Sequence, residues 1–446
     1  MYRVSLLFRQ CKVCMMPQRT FLTKTSKNLI LPAMKTRVVI TGMGAVTPLG
    51  NDISTAWQAI INGNSGISHI TRFDASAFPS RMAGEVKKFD ARRYLSAKEI
   101  LTTDPFIQYA VAAALMAIED SRFSIAPHTA LRTGVLVGSG RGGVTTNEKN
   151  LLAFMAKGHR AVSPHYTPMT LVNMASGCIA MKFGAKGPCL DVSTACATGT
   201  HAIGEALKII QRGDADVMIA GGTEAALTPL VLAGFCQAKA LSRRNDAPEK
   251  ASRPFDRDRD GFVLAEGAGV LVLEELKHAE QRGARIYAEL AGYGLTSDAF
   301  HYTRPEPGGD GAARAMALAL ADADMRPEEI DYLNAHGTST VSNDAVETLA
   351  IKQAFRDHAN RLFVSSTKSM LGHMLGAAGA VEAAITALAV HEGVIPPTIN
   401  YDARDPACDL DYVPNRPRKQ AISAALSNSL GFGGTNGALV IRRMTS

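Results

Sequence analysis

The first 33 residues contain no aspartate or glutamate. Within them stand Arg3, Arg9, Lys12, Arg19, Lys24 and Lys27. The 446-residue chain has a formal net charge of +7, and without those six cations it would have +1. A surplus so placed leaves no basic footprint for nucleic acid. Nor is there an apolar run long enough to span a bilayer, so no membrane partner is expected. Cysteine is sparse, odd in number and scattered, which argues against a disulfide framework. Cys11 and Cys14 have no second pair and no nearby histidine, so they do not make a metal site.

The acid-free segment is also rich in hydroxyl groups, with Leu, Phe and Met interleaved. That is the composition of an organelle transit peptide, which points to the mitochondrion. The alternative is a cytoplasmic bacterial protein whose true start is Met34. Residues 1–33 are accordingly set apart from two halves, 34–285 and 286–446. The remaining length exceeds one simple core and suggests two domains or a duplicated one.

Apolar strand-like runs at 37–42, 133–137, 216–222, 267–274, 286–294, 330–335, 362–366, 421–427 and 437–441 alternate with helical stretches. That alternation predicts an α/β fold with a mostly parallel sheet in each half. Gly42 and Gly44 resemble the start of a dinucleotide fingerprint. The third glycine would fall at Thr47, however, and no acidic residue stands about twenty positions on. The loop from Gly138 to Gly143 fits the glycine spacing, but no helix is evident after it. It reads as a flexible pocket wall.

Cys196 stands where a strand-like run hands over to a helical stretch at 197–211. Unpaired N–H groups and the dipole of a first helical turn favour a thiolate over a thiol. Ala195, Ala197 and Gly199 leave the sulfur open. His336 and His373 likewise fall just after predicted strands, beside small residues, and Lys368 precedes His373. Reactive groups of α/β folds gather at the carboxyl ends of strands, so the three point to one shared site.

These residues resemble those of the elongating β-ketoacyl-acyl carrier protein synthases, condensing enzymes with a Cys-His-His triad. The likeness runs from about Thr36 to Arg442. It rests on Val192-Ser-Thr-Ala-Cys196, Asn334-Ala-His336-Gly-Thr-Ser-Thr340, Lys368-Ser-Met-Leu-Gly-His373, Gly376-Ala-Ala-Gly-Ala-Val-Glu382 and Gly431-Phe-Gly-Gly-Thr-Asn436. The resemblance implies a thiolase-like duplicated αβαβα five-layer fold with two mixed sheets, and a homodimer. It implies Cys196, His336 and His373 as catalytic residues, with Lys368 and Glu382 in support. Backbone N–H groups of Cys196 and Phe432 would form the oxyanion hole. Thr338 and Thr340 would hold the phosphopantetheine arm, and Phe432 would gate the acyl pocket. Decarboxylating malonyl-carrier with two imidazoles needs no metal and no cofactor.

Two departures stand out. Arg141 occupies a position that is usually apolar and faces the acyl tail in members that accept long chains. Either it turns away, or the pocket is short or polar, because an unpaired buried guanidinium is costly. The usually basic carrier-docking helix keeps only Lys98 of its cations, so Arg160 and Lys239 are expected to complete a patch for an acidic acyl carrier protein. A polyketide-type ketosynthase and a non-enzymatic acyl-binding partner subunit are the rival readings. The intact triad argues against the second.

Overall fold

Side-chain alternation along the strands decides the layers. In Val217–Glu224, Met218 and Ala220 enter one apolar cluster while Val217 and Ile219 enter another. A strand buried on both faces needs cover on both. The computed structural model describes residues 35–444, and within them ten strands form one continuous sheet. They are β1 (Val38–Val46), β2 (Thr133–Gly138), β3 (Cys189–Leu190), β4 (Val217–Glu224) and β5 (Gly267–Glu275). Then follow β6 (Ala288–Ser297), β7 (Tyr332–Asn334), β8 (Phe363–Ser365), β9 (Ala424–Gly431) and β10 (Thr435–Arg442). The order across the sheet is β8-β7-β9-β10-β6-β1-β5-β4-β2-β3.

Six helices matter here: α1 (Pro105–Ser121), α2 (Val144–Lys157), α3 (Thr198–Gln211), α4 (Asp310–Asp322), α5 (Val341–Phe355) and α6 (Ala378–Glu392). Helices α3 and α6 lie in the middle. Their Ile203, Leu207, Val381 and Ile385 pack with Met218 and Leu271 of one half and with Leu439 and Ile441 of the other. Helix α1 covers the outer face of the first half, and α4 and α5 cover that of the second. The result is the expected five-layer αβαβα arrangement. No helix among the described residues is long and apolar enough to cross a membrane.

Glycines mark the same packing device in both halves. A Cβ on Gly42 would stand 2.2 Å from the Ala117 carbonyl oxygen, and one on Gly44 would stand 2.1 Å from that of Ala113. On β6, Gly292 and Gly294 meet the Ala319 and Ala315 carbonyl oxygens at 2.3 and 2.1 Å. Strand β1 therefore carries a close-packing seat for α1, not a nucleotide site, and β6 repeats it for α4. Between the layers, Gly199 of α3 and Gly379 of α6 let the two central helices touch, with Ala380 and Thr200 as their nearest neighbours.

The sheet departs from expectation in two ways. Four of its nine pairings are parallel and five antiparallel, so it is mixed rather than mostly parallel. The reason is local: residues 432–434 join β9 to β10 as a tight hairpin, which admits only an antiparallel pair. Nor are the two sheets separate. Val38, Val39 and Ile40 pair with Leu290, Glu289 and Ala288, and this join of β1 to β6 makes them one. The glycine-rich loop also differs, because α2 opens directly after Gly143.

Candidate active site

Cys196 sits in a single turn, Ala195–Ala197, at the head of α3. Ala195 takes a left-handed conformation, with φ of +50°. The Thr198 hydroxyl holds the turn by accepting from the Thr194 N–H at 2.9 Å and donating to the Ala195 carbonyl at 2.7 Å. Such strain persists where the surroundings over-determine it. Cys196 Sγ is buried and lies 3.0 Å from His373 Nε2. The ring of His336 meets that of His373 edge to face, with centroids 5.3 Å apart. One cavity of about 750 Å³ is lined by all three side chains.

Each histidine is held through its backbone. The His336 and Gly337 N–H groups donate to the two carboxylate oxygens of Glu347 on α5, both at 2.7 Å. The His373 N–H donates to the Val263 carbonyl at 2.7 Å, and the His373 carbonyl accepts from the Ala265 N–H at 2.9 Å. The Phe262 ring packs edge-on against His373. Neither Nδ1 has a hydrogen-bond partner among the described residues. A proton there would bury a donor with nothing to accept it, so the neutral rings carry theirs on Nε2, facing the cavity.

The charge that acts on the two histidines is buried. Lys368 Nζ reaches Glu382 Oε1 at 2.5 Å, and both side chains are 1% exposed. Burial pushes the Glu382 carboxyl up to about 7 despite that lysine. Burial and then the Lys368 charge hold His336 and His373 well below the ordinary imidazole value, so both rest neutral. Burial also pushes the Cys196 thiol up to about 12, against the Lys368 charge and the Phe432 N–H. The expected thiolate at a helix end is thus overridden in the resting site. A helix terminus is worth at most a couple of kcal/mol in partly buried settings, less than desolvating an anion costs.

The other expected residues divide. Thr338 and Thr340 line the cavity with their hydroxyl groups 3.0 Å apart. Phe432 is 41% exposed, lines the cavity and directs its backbone N–H at the sulfur. Arg141 lines it too, its guanidinium 5.3 Å over the Phe235 ring, with no carboxylate at ion-pair distance among the described residues. Of the three expected docking cations, Lys239 borders the cavity while Lys98 and Arg160 do not. Arg304 also lines the cavity and was not singled out by the sequence. Glu224 and Glu347 were also missed. They act on backbone N–H groups, which leave no mark in side-chain spacing. The glycine-rich loop is a pocket wall, as expected, but it is pinned. Ser139 Oγ and the Gly140 N–H both donate to Glu224.

Comparison with known proteins fits this geometry. Residues 35–279 match the β-ketoacyl synthase N-terminal domain and residues 287–402 the C-terminal domain. A 3-oxoacyl-[acyl-carrier-protein] synthase 2 of Coxiella burnetii is 53% identical over 410 residues, which are 92% of this chain and 99% of the relative. That of Synechocystis is 52% identical over 409 residues, 92% of this chain and 98% of the relative. Among solved structures, a type II polyketide ketosynthase in complex with its acyl-carrier protein and bound to a hexaketide superposes with a TM-score of 0.86 at 37% identity. A β-ketoacyl synthase from Burkholderia phymatum gives 0.86 at 36%. Each covers 92% of this chain and is itself covered completely.

Proposed function

The chain belongs to the β-ketoacyl synthase family, and we propose that its Cys196, His336 and His373 divide the work of an elongating 3-oxoacyl-[acyl-carrier-protein] synthase. It is an acyltransferase of fatty acid synthesis. An acyl group passes from a carrier thioester to Cys196, whose proton leaves with the carrier sulfur. Malonyl-carrier then loses carbon dioxide, and the resulting enolate attacks the acyl-Cys196 carbonyl. The carbon–carbon bond forms, the acyl C–Sγ bond breaks, and Cys196 leaves as a thiolate that takes a proton from water. The Nε2–H groups of His336 and His373 stabilise the enolate oxygen. The Cys196 and Phe432 N–H groups take the oxyanion formed on the acyl carbon, each such donor being typically worth about 3–4 kcal/mol. Lys368, paired with Glu382, supplies a fixed positive charge. Thr338 and Thr340 hold the carrier's pantetheine arm, and Lys239 with Arg304 greets the acidic carrier at the rim.

The observation that carries this reading is the 3.0 Å approach of His373 Nε2 to the sulfur, with His336 across the same cavity. Its test is turnover with acyl-carrier and malonyl-carrier. Cys196→Ala should abolish condensation, and Cys196→Gln should retain malonyl decarboxylation. His336→Ala and His373→Ala should each suppress decarboxylation while leaving some acyl transfer. Condensation by the Cys196→Ala protein would overturn the assignment. One observation favours a polyketide-type activity, the Arg141 guanidinium in the wall of the cavity; turnover of oxygenated acyl chains in preference to plain ones would establish it.

The protein acts as a homodimer in this reading. Support comes from Leu151, Leu152, Phe154 and Met155 on α2, all exposed, and from Leu190 on the open sheet edge. Apolar surface of this kind marks a protein interface. A mitochondrial destination rests on the composition of residues 1–33, which lie outside the described residues.

A further inference from the structure

Glu224 ends β4, is fully buried, lines the cavity and has no part in the steps above. Its Oε2 accepts from the Gly140 N–H at 3.0 Å and from the Gly376 N–H at 3.1 Å. Its Oε1 accepts from Ser139 Oγ at 3.1 Å, and that hydroxyl oxygen accepts from the Gly142 N–H at 2.9 Å. Arg141 thus lies between two glycines, Gly140 tied to the carboxylate directly and Gly142 through the Ser139 hydroxyl. Gly376 is three residues beyond His373, in the turn whose Leu375 also lines the cavity. That turn is crowded. A Cβ on Gly376 would stand 2.5 Å from the Gly140 nitrogen, and one on Gly222 would stand 2.3 Å from the Gly376 carbonyl oxygen. Neither segment can move far without the other.

We propose that Glu224 is a positioning residue that couples the acyl-pocket wall at Ser139–Gly142 to the turn that follows His373, so that an acyl chain on Cys196 sets the decarboxylation geometry. The inference rests on the condensing activity proposed above. The carboxylate joins a loop of the first half to a turn of the second. An acyl chain pressing on the Arg141 loop shifts Oε2, and the same oxygen holds Gly376. The coupling is carried by hydrogen bonds to a rigid strand end, a continuous physical connection between two sites.

The experiment measures carbon dioxide release from malonyl-carrier by enzyme with a free or an octanoylated Cys196, and takes the ratio of the two rates. The parent should show a ratio well above one. Glu224→Gln keeps an oxygen for both glycine N–H groups and a donor for Ser139 Oγ, and should keep the parental ratio. Glu224→Asp keeps the charge but draws the carboxylate back from both partners, and should lower the ratio roughly tenfold, since small misplacements near reacting groups cost that much or more. Ser139→Ala removes the loop's bonds through Oε1 and to the Gly142 N–H and leaves the Gly140 and Gly376 bonds to Oε2, so it should lower the ratio by a smaller factor, and it does so even where Glu224→Asp fails to fold. A merely structural role would slow both rates alike and leave the ratio unchanged. A parental ratio of one overturns the coupling, as does a parental ratio in folded Glu224→Asp or in Ser139→Ala. Loss of the ratio in Glu224→Gln does the same. A parent that never condenses overturns the functional reading instead.

Discussion

At Cys196 two effects oppose each other, the positive end of α3 and the absence of water. Burial prevails and leaves a thiol that titrates near 12. The sign is testable. A raised folded value means the thiolate fraction keeps growing as pH rises, so alkylation of Cys196 by iodoacetamide should accelerate from neutral pH to beyond about 9 without a plateau. A plateau near neutrality would show that the helix end wins. Arg141 allows a second test. It stacks on Phe235 with no carboxylate at ion-pair distance among the described residues, so Arg141→Met should cost no more than about 1 kcal/mol in stability. The same change should extend the accepted acyl range upward, each further buried methylene returning about 0.8 kcal/mol. Chain-length profiles beside a thermal melt decide it. An unchanged profile with a lowered melting temperature would remove Arg141 from the pocket. What the sequence hid at this scale was protonation state, because burial is a property of the whole fold. Which residues meet was legible, because Cys196, His336 and His373 each follow a strand.

Among the elements, the close seats of α1 on β1 and α4 on β6 set the layer spacing. Gly292→Ala would drive a methyl to 2.3 Å from the Ala319 carbonyl oxygen, and the helix must shift. We expect a loss of roughly 1–3 kcal/mol from overpacking, read as a lower denaturation midpoint with an unchanged slope. No loss would mean that α4 retreats freely. Strand positions were readable because runs such as 217–222 are apolar on both faces. Helix α2 was not, since its first turns are polar and its Leu151, Leu152, Phe154 and Met155 face outward, with no core stripe to find. The role of Gly42 and Gly44 was ambiguous for a similar reason: a glycine that admits a helix and one that admits a phosphate look alike in sequence.

For the whole molecule, the described residues from Thr36 onward group as one unit by their contacts. A chain begun at Met34 should therefore fold and turn over like the full one. The native protein should begin near Met34 by mass spectrometry, and peptides from residues 1–27 in the mature enzyme would overturn the transit reading. The continuity of the sheet was beyond the sequence, because the three residue pairs that join β1 to β6 lie some 250 positions apart. The strand order has one more consequence, for how the protein is made. Strand β10 is last along the chain, yet it lies inside the sheet between β9 and β6, and β9 and its neighbours reach the first half through it. A ribosome must therefore release residues up to about 442 before the strand beyond Phe432 can slot in. Until then the proposed oxyanion hole at Cys196 is incomplete, and a nascent chain already holding Cys196, His336 and His373 should still be inert.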